Sequence, residues 1–249
     1  MSDQAAMNAD EAVGDEVAVG ATGRALTDMQ ERVAGRELPA SSQDRELTEL
    51  RRRQIVEGAS TVLFEKGFHG CSIRDIARAC GMSMGQLYHY ISSKDDILFL
   101  MHVYSQEMWH QHLAEAGFDG IADPVDKLEH GLRITIKFLS ENRELYQFLY
   151  TESKYLDGEH LREVLELDDQ NVVGFYRHLL SEIPGFADRD HADLAANLVA
   201  FVCVFLSLRG WNLHLSGEAD VDAAVDYLVD FLFRGLGIEH TTESSEESA

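Results

Sequence analysis

Between Ser72 and Lys94 the chain concentrates side chains that could address a polyanion. Two serines, Ser72 and Ser83, each stand where they can cap a short helix, and Gly81 lies between the two helices. The second helix would present Met84, Gln86, Tyr88, His89 and Tyr90, a mix of apolar, amide, hydroxyl and imidazole groups able to reach base edges and phosphates. Upstream, the Arg51-Arg52-Arg53 triplet fits either nonspecific phosphate attraction or a solvated helix face. The chain carries a net charge of −23, yet Arg45 to Asp95 holds eight basic against six acidic residues. That local excess is what an acidic, otherwise repelling chain would need at a polyanion contact.

Other chemistry finds less support. His102, His110 and His112 share a predicted helix and Asp168-Asp169 lies in another, but two-residue spacing points His110 and His112 to different faces instead of converging on a metal. No GxSxG, P-loop, HExxH or GxGxxG pattern occurs, so no enzyme is expected, and neither a cofactor nor a metal. Cys71, Cys80 and Cys203 are odd in number without CxxC spacing, which suits a reducing cytoplasm better than a disulfide framework.

The elements that must position these groups are helical. Only three prolines occur among 249 residues, 45% of the chain is hydrophobic, and apolar residues recur at three- and four-residue intervals. An all-α fold follows. A first helix is predicted from Arg45 to Lys66, stopping at Gly67, with Leu50, Ile55, Ala59, Val62 and Leu63 on one face. Short helices over Ile73–Cys80 and Met84–Tyr90 come next, then a long one from Ser93 toward Glu115. Asp123-Pro124 opens another, and further helices are expected near 142–155, 159–182, 189–215 and 220–237. Residues 1–43 read as a mobile acidic arm and 240–249 as a similar tail. The stretch Leu194 to Leu208 is 15 residues long, short of the ~20 that span a bilayer, so it is expected to be a buried core helix and no membrane partner is expected.

The segment Arg53 to Leu98 resembles the DNA-binding domain of the TetR/AcrR family of transcriptional regulators. The resemblance is carried by Phe64-Glu65-Lys66-Gly67-Phe68, then Ser72-Ile73-Arg74-Asp75-Ile76-Ala77, Gly81 and Ser83. It continues through Leu87-Tyr88-His89-Tyr90, Ser92-Ser93-Lys94 and Asp95-Asp96-Ile97-Leu98, with Ile91 where the family often has Phe. It implies an N-terminal three-helix helix-turn-helix domain at 44–95 and a C-terminal helical ligand-binding and dimerisation domain at 96–239. It also implies a homodimer on double-stranded operator DNA, with Tyr88, Tyr90 and Lys94 on phosphates. Base reading would fall to Arg74, Met84, Gln86 and His89, Gln86 pairing bidentately with adenine and Arg74 with guanine. Arg53, Ser72 and Ser83 complete the expected DNA-facing set.

In the second half the resemblance places the dimer interface on the last two helices, through Phe201, Phe205, Leu208, Val225, Leu228, Phe231 and Leu232. Residues too polar or aromatic for plain core are candidates for a small-molecule effector site: Trp109, His112, Phe138, Tyr146, Tyr150, Tyr155, Asn171, Tyr176 and Asn197. Their aromatic content favours an apolar or acyl-type effector, including an acyl group carried as its coenzyme A thioester. An anionic effector would have to meet Arg133, Lys137, Arg143 or Arg177. The alternative is a helical interaction or enzyme domain in which the helix-turn-helix is purely structural.

Overall fold

The computed structural model describes residues 42–186, 190–213 and 217–240. The rest of the predicted acidic arm and of the C-terminal tail lies outside the described residues. All regular structure among the described residues is helical. Helix α1 (Ser42–Gly70) leaves helical geometry at Gly67, at φ 71°, the point where the sequence predicts a stop. Helix α2 (Ile73–Ala79) and helix α3 (Met84–Tyr90) are each opened by a reciprocal capping box. In the first, Ser72 Oγ accepts from the Asp75 N–H while the Asp75 carboxylate accepts from the Ser72 N–H. In the second, Ser83 and Gln86 play the same parts. Gly81 joins the two helices at φ 65°, a left-handed conformation that a residue with a Cβ adopts only under strain.

Helix α4 (Lys94–Glu115) follows, then α5 (Pro124–Glu141), capped by Asp123 with proline at its first position, and α6 (Arg143–Glu152). Helix α7 (Gly158–Asp168) is capped by Asp157. The helix predicted over 159–182 is interrupted: a π-turn at Asp169–Val173 separates α7 from α8 (Gly174–Glu182). The helix predicted over 189–215 is also broken, into α9 (Ala192–Cys203) and α10 (Phe205–Arg209). Just past that break the Ser207 hydroxyl donates to the Leu139 carbonyl, a distant partner for a fully buried polar group. The chain closes with α11 (Glu218–Leu236).

The described chain divides into two compact units. One comprises residues up to Tyr104 together with Glu152–Asn171; the other comprises Ser105–Thr151 with the residues from Val172 onward. In the first, α1 packs on α2 and α3. Ile55, Ala59 and Leu63 of α1 are buried there, as are Ile76 and Ala77 of α2 and Leu87 of α3. In the second, α5 packs on α8 and α11, and α8 on α9. Leu128, Leu132 and Ile136 meet Tyr176, Leu179, Val199, Val229 and Phe233 in one core.

Among the described residues no single helix is long and apolar enough to cross a membrane; only the pair Ala192–Cys203 and Phe205–Asn212 reaches that length, with a 46° bend between them. Helix α9 departs from the expected buried core helix. Ala196, Val199 and Cys203 enter the core, while Leu194, Leu198 and Phe201 are each more than half exposed. Tyr227 and Phe231 of α11 are exposed as well.

Candidate nucleic-acid interface and effector site

Helices α2 and α3 turn a polar edge to solvent. Ser72, Arg74, Ser83, Gln86, Tyr88 and His89 are exposed, and Met84 and Tyr90 half-exposed. The His89 and Tyr90 rings meet edge to face, with centroids 5.0 Å apart. Leu87 points the other way and is fully buried, so one short helix both anchors itself and offers a reading face. The Asp75 carboxyl is held at about 2, first by the Ser72 hydroxyl and backbone N–H, so the cap of α2 stays charged at any physiological pH.

Three expectations change on this surface. A bidentate pair with adenine uses both the carbonyl oxygen and the amide nitrogen of Gln86. Its Oε1 already accepts from the Ser83 N–H at 2.8 Å, so the cap takes one of that oxygen's two lone pairs and fixes its direction. Lys94 is drawn inward: its ammonium donates to the Phe68 and Cys71 carbonyls and lies 4.3 Å from the Phe68 ring centroid. There it satisfies carbonyls left by the interruption of α1, so at most one of its three N–H groups remains for a phosphate. The arginine triplet, finally, is no uniform solvated face. Arg52 is buried, Arg51 donates to Gln54, and Arg53 pairs with Glu49 and lies 5.0 Å from the Tyr104 ring.

Sequence reasoning missed the supports behind this surface. The Asp96 carboxylate accepts from the backbone N–H groups of Ser92 and Ser93 and from the Ser93 hydroxyl, fixing the turn that follows α3. Glu152 Oε2 accepts from the Phe68 N–H at 2.9 Å, and the Tyr155 ring stacks on Phe68 and meets His69. A Ser-Ser-x-x-Asp spacing could have flagged the first; nothing local could have flagged the second, which joins positions 84 apart.

In the other unit the structure gathers five of the nine effector candidates. Trp109 donates its indole N–H to Thr135 Oγ1 at 2.9 Å and meets Phe175 edge to face. The Tyr176 hydroxyl lies 3.2 Å from Cys203 Sγ, both fully buried, and burial pushes the Cys203 thiol up to about 12. His112 stacks on Phe138, which meets Tyr146 edge to face, and the Tyr146 hydroxyl donates to the Ser105 carbonyl. The result is an aromatic cluster threaded by a few fixed polar groups, as an apolar ligand with one oriented head would require. Beside it burial lowers His110 to about 4, and its buried Nε2 has no hydrogen-bond partner among the described residues.

The remaining four candidates do not join the cluster. Tyr150 and Asn197 are exposed, with Asn197 donating to the Asp193 carbonyl of its own helix. Tyr155 and Asn171 belong to the other unit. Thr135, Cys203 and Phe175 were missed because a threonine, a cysteine or a phenylalanine at helical spacing reads as ordinary core. Three of the four cations offered for an anionic effector are already paired: Arg133 with Glu129 and Asp226, Lys137 with Asp222, and Arg177 with Asp193.

The expected dimer residues also separate. Phe201 and Phe231 are more than half exposed and Phe205 and Leu208 half-buried. Val225, Leu228 and Leu232, by contrast, are buried in the chain's own core and leave little surface for a partner. Helical period explains the difference: Tyr227 and Phe231, four apart, share the outer face, while Val225, Leu228 and Leu232 turn inward. Asp95, Asp157 and His160 bring possible ligand atoms within 4.8 Å of one another. Both ring nitrogens of His160 face carboxylates, Nδ1 2.9 Å from Asp157 Oδ2 and Nε2 3.5 Å from Asp96 Oδ1.

Residues 55–101 match the family model of the bacterial regulatory proteins, tetR family. The HTH-type transcriptional regulator HbdR of Aromatoleum sp. (strain CIB) is 32% identical over 132 residues, which is 51% of this chain and 54% of HbdR. The chain thus matches about half the length of that curated relative. Among solved structures, AibR in complex with isovaleryl coenzyme A and operator DNA superposes with a TM-score of 0.60 at 22% identity, covering 74% of this chain and 98% of that one. FadR from Bacillus subtilis in complex with stearoyl-CoA gives a TM-score of 0.61 at 19% identity, with 74% and 98% covered. At these identities the two structures speak for the fold alone. The capped helix pair thus lies within the residues that match the tetR family model, and the chain shares its helical fold with the two solved structures.

Proposed function

We propose that this chain is a ligand-responsive, sequence-specific DNA-binding regulator that acts as a homodimer in the cytoplasm, and that it is a repressor released from its operator by a small apolar or acyl-type effector. The observation that carries the DNA-binding part is the α2–α3 pair. Two reciprocal caps fix its helices, Leu87 anchors it, and Arg74, Gln86, Tyr88 and His89 are left outward within the segment that matches the family model. Arg74, His89 and Gln86 remain as base readers, with one lone pair of the Gln86 oxygen held by its cap. Tyr88, Tyr90, Arg53 and Met84 supply backbone and apolar contacts.

For the dimer, the exposed Leu194, Leu198 and Phe201 of α9 and Tyr227 and Phe231 of α11 support self-association, since apolar surface of this kind on a helix pair is costly to leave in water. Release follows if the effector favours a dimer state in which the recognition helices no longer match successive major grooves, ~34–36 Å apart.

The aromatic cluster around Trp109, Phe138 and Tyr176 supports an acyl or other apolar effector. Coenzyme A thioesters are the first to try, because AibR and FadR were solved with isovaleryl coenzyme A and stearoyl-CoA. The neutralised Arg133, Lys137 and Arg177 imply that the acyl part, more than the phosphates, supplies the affinity. The test is fluorescence anisotropy of the chain on a genomic fragment it selects, titrated with isovaleryl-CoA, stearoyl-CoA, stearate and free coenzyme A. An acyl compound should release DNA where free coenzyme A does not. Equal action by free coenzyme A, or no action by any of the four, contradicts the acyl reading.

A further inference from the structure

The stretch Glu152–Asn171 lies, in sequence, between two parts of the effector unit, yet it belongs to the same compact unit as the capped helix pair. Where it meets the start of α4, Asp95, Asp157 and His160 bring atoms able to ligate an ion within 4.8 Å of one another. Asp95 stands in the first turn of α4, Asp157 caps α7, and His160 follows in the first turn of α7. No spacing in the sequence joins them, because only the fold brings the two helix starts together.

Each group has an atom to give. Asp157 spends Oδ1 on its cap, where it accepts from the Glu159 and His160 N–H groups, and Oδ2 is left 2.9 Å from His160 Nδ1. Asp95 has no hydrogen bond or ion pair among the described residues, and its neighbour Lys94 turns inward to the Phe68 and Cys71 carbonyls. No lysine or arginine pairs with Asp95, Asp96 or Asp157 among the described residues, so three carboxylates surround a single imidazole. A bound cation would relieve that excess of negative charge.

Asp96 supplies the second, independent feature. A histidine that ligates a metal through one nitrogen almost always offers its other N–H to a carboxylate, a carbonyl or water, which fixes the ring. Asp96 Oδ1 lies 3.5 Å from His160 Nε2, the nitrogen turned away from Asp157. It is itself pinned, since its oxygens accept from the Ser92 and Ser93 N–H groups and the Ser93 hydroxyl.

We propose that Asp95, Asp157 and His160 Nδ1 hold a divalent first-row transition ion, with Asp96 positioning the imidazole from behind. Imidazole beside carboxylates suits Zn2+ and its neighbours better than Mg2+ or Ca2+, which take oxygen ligands. Zinc bonds of about 2.0–2.2 Å put tetrahedral ligand atoms ~3.4 Å apart. A pair at the 4.8 Å limit must therefore close by ~1.4 Å, a move open to Asp95, which has no bond to give up. The ion would clasp the 152–171 segment to the start of α4.

Zn2+ titration of the EDTA-stripped full chain at neutral pH, in competition with a chromophoric chelator, tests the site in wild type, Asp95→Asn, His160→Gln and His178→Gln. His178 is an exposed histidine of α8 outside the set. Wild type and His178→Gln should take up one equivalent per chain that Asp95→Asn and His160→Gln hold at least about tenfold more weakly. Zn2+ should also raise the unfolding midpoint of wild type more than that of Asp95→Asn. Circular dichroism in EDTA should show Asp95→Asn folded as wild type is, so that its loss of uptake is not a loss of fold. Uptake that Asp95→Asn leaves unchanged overturns the site, and so does the absence of a tight equivalent in wild type. Equal uptake of Mg2+ or Ca2+ overturns the assignment to a transition ion. None of these readouts involves DNA, so failure of the DNA-binding reading would leave the result intact.

Discussion

The α2–α3 edge of the first unit and the core of the second hold polar groups in place at different ranges along the chain. On the α2–α3 edge the caps are local: Ser72 with Asp75, Ser83 with Gln86 and Ser93 with Asp96 are all three residues apart, and longer ties such as Glu152 to Phe68 lie behind it. In the core of the second unit the pairs are distant: Trp109 with Thr135 spans 26 residues, Tyr176 with Cys203 27, and Ser207 with Leu139 68. Local caps fix the two short helices with groups drawn from their own segment. Distant buried pairs make the interior specific, and each depends on a partner that only the fold supplies.

The sharpest break of this comparison comes from adding one methyl group to each unit. A Cβ at Gly58 would stand 2.9 Å from the Cys80 Cα, against backbone that cannot yield without moving the end of α2. A Cβ at Gly131 would stand 2.9 Å from a ring carbon of Phe118, a side chain that can rotate. Gly58→Ala should therefore cost about 2–3 kcal/mol and Gly131→Ala about 1, both read by urea denaturation. Equal costs would mean that the helix approach in the DNA-reading unit is no tighter than in the other.

Next in size, Thr135→Val keeps the shape of the side chain but strands the buried indole N–H of Trp109. A loss of about 1–3 kcal/mol is expected, with the effector response altered and DNA affinity without effector unchanged. An unchanged midpoint would show that the thread is dispensable.

Lys94→Met should then cost about 1–2 kcal/mol by removing the donor to the Phe68 and Cys71 carbonyls. Its salt slope in DNA binding should change by less than the roughly one unit expected of a full phosphate contact. A stable variant with a flattened slope would restore Lys94 to the phosphate-binding set.

The smallest effect is expected for Gln86→Ala, which loses one half of a reciprocal cap, about 0.5–1 kcal/mol, and relaxes preference at one operator position. A binding-site selection that returns the wild-type pattern would remove Gln86 from the reading set.

Much of the first unit was legible because its determinants are short: a serine three residues before an acceptor, a glycine at a positive φ, and a leucine on the inner face of α3. What the sequence hid was the use made of exposed-type residues. Lys94 and Gln86 have the right chemistry for DNA, and only the fold shows that backbone groups already hold them. In the second unit the outline of helices could be read, but the breaks at Asp169–Val173 and Val204 could not. Both interrupt runs with no proline, one of them next to Ser207, whose hydroxyl finds its partner on another helix. The aromatic cluster was half legible for the same reason: aromatics announce themselves by size, while Thr135 and Cys203 gain meaning only beside Trp109 and Tyr176.

The central claim is that the α2–α3 edge reads DNA sequence, and the most direct measurement is a salt-series titration of the full chain against genomic fragments it has selected and against scrambled duplexes. The selected fragments should bind at least about a thousandfold tighter than the scrambled ones, with log affinity falling linearly as log salt rises. Arg74→Ala should erode that preference more than it erodes nonspecific binding. Affinity that is indifferent to sequence and to salt would contradict the account and leave the helix-turn-helix a packing element.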